Sequence, residues 1–145
     1  MEHVKLTETV IGCAMAVHRA LGPGFLESVY HNALAHELRK AGLEVESKKP
    51  LKVTYDGVVV GEFEPDMLVE KTVILENKGV QSLAAAHEAQ LVNYLTATGI
   101  EIGLLLNFGG SRLEFKRKYR TFRPKEPGDV GTEARSRVGE GDFAV

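Results

Sequence analysis

The sequence predicts a single domain of the mixed α/β or α+β class, a mixed β-sheet with helices packed on it. Three observations predict it. Apolar residues recur at helical spacing in two early segments and again after residue 82. Between and after those segments the pattern changes to period two, and glycine-containing turns mark the changes. At 145 residues, 43% hydrophobic and 26% charged, the chain is long enough for one core of ordinary size.

From Leu6 to Leu21, the residues Val10, Ile11, Ala14, Val17 and Leu21 form a helical stripe, with Thr7 as the expected N-cap and Gly22 as the stop. Gly22-Pro23-Gly24 is a turn. A second helix is expected from Leu26 to Lys40, with Val29, Ala33, Leu34 and Leu38 as its stripe and Gly42 as its C-terminal cap. Residues Leu43 to Tyr55 read as one or two strands, with Pro50 at a bend or an edge. Asp56-Gly57 supplies the positive φ angles of a two-residue hairpin turn. The strand character returns at Val58 to Phe63, Met67 to Val69 and Val73 to Leu75, which reads as a meander. A third helix is expected from Ser82 to Thr98, stopped by Gly99; a buried strand (IEIGLLLNFGG) and a more exposed one (SRLEFKRKYRTFR) follow. The expected domain is residues 1–123. Residues 124–145 lack periodicity, are rich in Gly and charge, and read as a disordered tail.

The net charge of −2 provides no global attraction to polyanions, so a nucleic acid would need a local patch. The lone Cys13 lies in a helical pattern and reads as a small buried residue rather than a reactive thiol. "MEHVKLTE" has neither the basic region nor the apolar block of a signal peptide, and no apolar run approaches a membrane span of ~20 residues. The expectation is a cytoplasmic protein without a membrane partner.

Asp66, Glu76 and Lys78 border apolar runs, where charges are costly unless paired or used. If Met67 to Val69 and Val73 to Leu75 pair about a tight turn at Lys71, Asp66 faces Glu76, with Cβ atoms ~4.5–5.5 Å apart. Glu76 and Lys78 then share a face, and Asn77 points away. Two such carboxylates repel unless one is protonated or a cation lies between them. A hard ion such as Mg²⁺ uses one or two carboxylates and accepts phosphate oxygens as further ligands. A lysine alongside can orient water or offset charge building on a phosphate, which fits phosphodiester hydrolysis. A carboxylate–lysine ion pair at a strand end explains the same residues, and the spacing leaves both readings open.

Pro65-Asp66, nine residues, then Glu76-Asn77-Lys78 resembles the signature of the PD-(D/E)xK nuclease superfamily. Upstream, GFLESVY supplies Gly24, Glu27 and Tyr30, which match the motif that gives the GxxExxY family its name. The resemblance runs from Leu6 to Arg120 and takes in HEAQLVNYL and GLLLNFG. It implies a restriction-endonuclease-like core, a central mixed β-sheet flanked by helices. It implies Mg²⁺ (or Mn²⁺) held by Asp66 and Glu76 with help from Glu27, and Lys78 as the catalytic lysine. Gln90 and Tyr94 resemble a QxxxY element that supports the site or contacts substrate. Tyr30 either hydrogen-bonds a site carboxylate or packs in the core. Asn77 departs from the apolar residue common at its position. The implied activity is metal-dependent cleavage of DNA or RNA. The alternative is an inactive nuclease-fold module that binds nucleic acid or a protein partner; a homodimer or partner subunit would fit either.

Other signals are weaker. HEAQL lacks the second histidine of a zinc-protease motif, since that position is Leu91. His87 reads as a solvated or core residue, and His18, His31 and His36 have no zinc spacing with Cys13. Arg112, Lys116, Arg117, Lys118, Arg120 and Arg123, interleaved with Phe115, Tyr119 and Phe122, suit either a nucleic-acid backbone or a charge-protected edge strand.

Overall fold

The computed structural model describes residues 3–121; the expected tail and the last two residues of the expected domain lie outside them. Two helices, α1 (His3–Leu21) and α2 (Glu27–Lys40), precede five strands. These are β1 (Val45–Ser47), β2 (Leu51–Tyr55), β3 (Val58–Phe63), β4 (Met67–Val69) and β5 (Val73–Lys78). Helix α3 (Ala85–Thr98) then leads to β6 (Ile102–Asn107) and β7 (Glu114–Tyr119). The main sheet has the order β1-β4-β5-β6-β7. Only β5 and β6 run parallel, joined by α3 as the crossover; the other pairs are antiparallel. The mixed sheet flanked by helices is the expected class.

Alternation along the strands divides the core between two faces. Met67, Val69, Val73, Leu75, Ile102, Leu104 and Leu106 meet α1 and α2 through Leu6, Val10, Ala14, Leu34 and Leu38. Leu68, Ile74 and Leu105 meet α3 through Leu91 and Leu95. Strand β6 is buried on both faces, which is why it reads as a continuous apolar run. Gly103 lets α3 approach closely, because a Cβ there would lie 3.0 Å from Leu91 Cδ1. No helix among the described residues is long and apolar enough to cross a membrane.

Helix α2 ends as expected. Gly42 sits at φ +87°, its N–H donates to the Arg39 carbonyl, and the Leu43 N–H donates to the Leu38 carbonyl. Gly99 closes α3 in the same left-handed region. Helix α1 corrects an expectation. It starts a turn earlier, so Thr7 is not its N-cap but an interior, fully buried residue. The Thr7 hydroxyl folds back to the Val4 carbonyl at 3.1 Å and accepts from Arg117 Nε at 3.1 Å. A long-range partner has overridden the local capping preference.

The expected single meander is also corrected. Strands β2 and β3 form a separate two-stranded sheet around the Asp56-Gly57 turn, with φ of 54° and 75° at its two central residues. Val58, Val59 and Val60 are exposed, so no face of β3 demands a place in the main sheet. A stacked pair, Phe63 on Tyr94 with ring centroids 3.9 Å apart, ties this hairpin to α3.

Candidate functional site

Strands β4 and β5 pair as Met67↔Leu75, Leu68↔Ile74 and Val69↔Val73. That register is centred on Lys71 and sets Asp66 opposite Glu76, as the sequence spacing predicts. The turn between them holds Glu70 and Lys71 at φ +53°, closed by Thr72 N–H donating to the Val69 carbonyl. At the other end of β4 the chain leaves the strand at Asp66, whose side chain is therefore not bound to the strand's alternation.

Asp66 is held from three sides. Its Oδ2 accepts from the Asn77 N–H at 2.7 Å, and its own N–H donates to Glu76 Oε2 at 3.3 Å. Lys48 Nζ lies 3.5 Å from Oδ1. The Glu76 carboxyl is pushed up from 4.5 to about 7, first by burial and then by the nearby Asp66 charge. The Asp66 N–H, Lys78 and Lys48 oppose that rise without cancelling it. A buried carboxyl next to a carboxylate, half-protonated near neutrality, has an unmet demand for positive charge.

Lys78 lies one strand period beyond Glu76, on the same face. No ion pair holds Lys78 among the described residues, so the structural alternative of a carboxylate–Lys78 pair is not formed. Glu27 opens α2, and its Oε2 accepts from the Gly79 N–H at 2.9 Å, one residue past Lys78. Helix α2 thus docks its first turn onto the end of β5. Four expected site residues lie near one end of the sheet: Glu27 and Asp66 line the α2 side, and Glu76 and Lys78 follow Ile74 on the face towards α3. Among the described residues, however, no group of three acidic, histidine or cysteine side chains forms a ready metal nest. Glu27 is turned to the backbone rather than to the Asp66–Glu76 pair. The pair alone suits a hard divalent ion, which needs only one or two carboxylates and keeps several waters.

A cleft of about 370 Å³ opens beside Asp66 on the α2 side, between Glu27, Ser28, His31 and Asn32 of the helix and Lys48 and Asn77 across from it. The His31 Nε2 lies 3.2 Å from Ser47 Oγ, and burial pushes its pKa down. The Asn77 side chain is 3% exposed, and both polar atoms of its amide are without a partner. Sequence reading gave His31 and Lys48 no site role, because only the folded chain brings them beside Asp66.

The loops at this corner are fixed by residues that spacing does not reveal. Asn107 Oδ1 accepts from Val80 N–H at 3.0 Å and Gly109 N–H at 3.1 Å, and its Nδ2 donates to Glu114 at 3.2 Å. A Cβ at Gly109 would lie 2.2 Å from the Val80 carbonyl oxygen, so only glycine lets the two loops touch.

The remaining expected residues stand apart from the carboxylates. Tyr30 is fully buried and stacked on Phe108, and its hydroxyl donates to the Gly22 carbonyl and accepts from the Phe25 N–H. Gln90 is exposed on α3, and Tyr94, one turn on, packs on Phe63. His87 Nδ1 accepts from the Ala84 N–H and caps α3, while His18 bonds the Gly110 carbonyl. On β7, Arg117 donates to Thr7 and Lys118 pairs with Glu88; just past the strand, Arg120 pairs with Glu101. Phe115 and Tyr119 face the α1 side with Arg117, whereas Lys116 faces the other. This separates the aromatics from Lys116 and leaves Arg117 on their face. Phe122 and Arg123 lie outside the described residues.

The family model described as the PD-(D/E)XK nuclease superfamily matches residues 4–118. No curated protein matches the chain. Among solved structures, the crystal structure of SSO0001 is similar at a TM-score of 0.52 and 19% identity, over 67% of this chain and 52% of that one. This chain therefore spans about half the length of that relative, and the likeness is one of fold. An alkaline exonuclease (LHK-Exo) from Laribacter hongkongensis aligns at a TM-score of 0.43 and 14% identity, over 75% of this chain and 68% of that one. With its family model matched over nearly all the described residues and its sheet built in the expected register, the chain belongs to the PD-(D/E)XK nuclease superfamily.

Proposed function

We propose that this chain is a divalent-metal-dependent nuclease of the GxxExxY type, hydrolysing phosphodiester bonds of DNA or RNA in the cytoplasm. The observation that carries this reading is the apposition of Asp66 and Glu76, with the Glu76 carboxyl raised to about 7 and Lys78 on the same face. Asp66 and Glu76 would hold Mg²⁺ or Mn²⁺, with Glu27 joining by exchanging its bond to Gly79. When bound, the ion supplies Lewis-acid stabilisation of charge on the phosphate oxygens. Lys78, unpaired among the described residues, positions the attacking water and offsets charge as it develops. The water oxygen bonds to phosphorus and the ester P–O bond breaks. One end leaves as a hydroxyl and the other as a phosphate monoester, the water's protons passing to the leaving oxygen and to solvent.

The test is cleavage of single- and double-stranded DNA and of RNA with Mg²⁺ or Mn²⁺. Asp66→Ala and Lys78→Ala should each lose at least about a hundredfold in rate with the fold intact. Activity retained in either folded variant would count against the mechanism. The second reading is a non-catalytic module that binds nucleic acid or a protein partner, alone or as a homodimer. The engagement of Glu27 by the Gly79 N–H favours it, and binding without turnover for every substrate would support it.

A further inference from the structure

Lys48 has a backbone that a lysine rarely adopts. Its φ is +56°, in the left-handed region where glycine is the inexpensive residue. It follows β1 directly, its N–H donates to the Asp66 carbonyl at 3.1 Å, and its Nζ lies 3.5 Å from Asp66 Oδ1. The side chain is 56% exposed, and an ion pair so open to water stabilises a fold very little. Stability therefore does not account for a lysine at a strained turn. Position does. Lys48 touches the carboxylate that the nuclease reading assigns to a divalent ion, and it also lines the cleft that runs from Asp66 towards His31 and Asn77. Polar residues line that cleft, among them Asn77, whose amide is buried and without a partner.

We propose that Lys48 is a second cationic residue of this site: it neutralises Asp66 while no divalent ion is present, and it turns into the adjoining cleft to hold a phosphate of the bound strand when one is. The proposal rests on the nuclease reading. Lys48 is a substrate-binding residue; it makes no bond to the reacting atoms. Its exposed stem has room to swing, whereas the backbone of Lys78 is held in β5, one strand period past Glu76. The two lysines thus divide the work, one at the phosphate being cut and one at a neighbouring phosphate.

Lys48→Gly is the informative substitution, because glycine tolerates the left-handed turn while the side chain and its charge are removed. Lys48→Arg keeps the charge. Mn²⁺ binding is measured by titration calorimetry without nucleic acid. Removing a positive charge beside the ligand should tighten Mn²⁺ about three- to tenfold in Lys48→Gly and leave Lys48→Arg close to wild type. Binding of a single-stranded oligothymidylate is then measured against salt, in a Lys78→Ala background that blocks turnover. Lys48→Gly should weaken it severalfold and flatten the salt slope by about 0.7, one phosphate contact's worth, and Lys48→Arg should restore it. Unchanged or weaker Mn²⁺ binding in Lys48→Gly overturns the proposal while the nuclease reading stands. Tighter Mn²⁺ with unchanged strand binding overturns the phosphate role. If neither wild type nor variant binds Mn²⁺, the nuclease reading fails and the proposal falls with it.

Discussion

At the scale of single residues, Glu76 and Lys78 separate the competing accounts. The Glu76 carboxyl is raised in the fold from 4.5 to about 7, so the folded state holds its proton more tightly than the unfolded chain does. Its contribution to stability is therefore complete below about 4.5 and is lost as the pH rises through about 7. Without divalent ions, urea unfolding should show stability falling over that window by up to about 3 kcal/mol, and Glu76→Gln should abolish the fall. Added Mg²⁺ should reverse the trend above neutrality, because the ion favours the ionised carboxylate. Lys78→Ala should cost less than about 1 kcal/mol in the same experiment, since no ion pair among the described residues holds it. A loss of several kcal/mol would mean an unpaired buried charge had been created, which is the signature of a structural cluster. The opposition of Asp66 and Glu76 was legible in the sequence because a period-two pattern and a short turn fix which residues oppose one another. Lys48 was not legible, since its meeting with Asp66 depends on how the end of β1 is laid against β4.

At the scale of elements, the site is held by the way two loops close the ends of the parallel pair β5 and β6. Asn107 at the end of β6 and Gly109 after it grip Val80 after β5, and the Phe108 N–H donates to the Lys78 carbonyl at 2.9 Å. Lys78 and the first turn of α2 are positioned through that junction. Gly109→Ala would drive a Cβ into the Val80 carbonyl, so it should destabilise by about 2 kcal/mol or more and cut cleavage sharply. Thermal unfolding and a cleavage assay on the same preparation check both halves. Element positions were largely readable, because Gly42, Gly57 and Gly99 mark ends and turns through their φ angles. The start of α1 was not, because Thr7 looks like a cap locally and is spoken for by Arg117 from the far end of the chain. The same distant pairing hid the fate of the basic strand. Arg117, Lys118 and Arg120 suited either a polyanion or a charge-protected edge strand, and each has a partner on α1, on α3 or at Glu101.

At the scale of the whole molecule, the arrangement is a mixed sheet with α1 and α2 on one face and α3 on the other, and a small β2–β3 sheet set to one side. The class was readable from the sequence, but the division into two sheets was not. Alternation tells which residues of a strand share a face, and β3 has no buried face to show where it pairs. Placed together, the layers gather the charged residues at one corner, where α2 begins and β5 ends, and that corner is the central claim. Its most direct measurement is the melting temperature at pH 8 of wild type and Asp66→Asn, each with Mn²⁺ and with a chelator. The asparagine keeps an acceptor for the Asn77 N–H and removes the charge. A ligand that binds only the folded state stabilises by mass action, about 2.7 kcal/mol at a hundredfold excess over Kd. The account predicts a Mn²⁺-dependent rise of roughly 5–10 °C in wild type and little or none in Asp66→Asn. Equal rises in both proteins, or none in either, would contradict it.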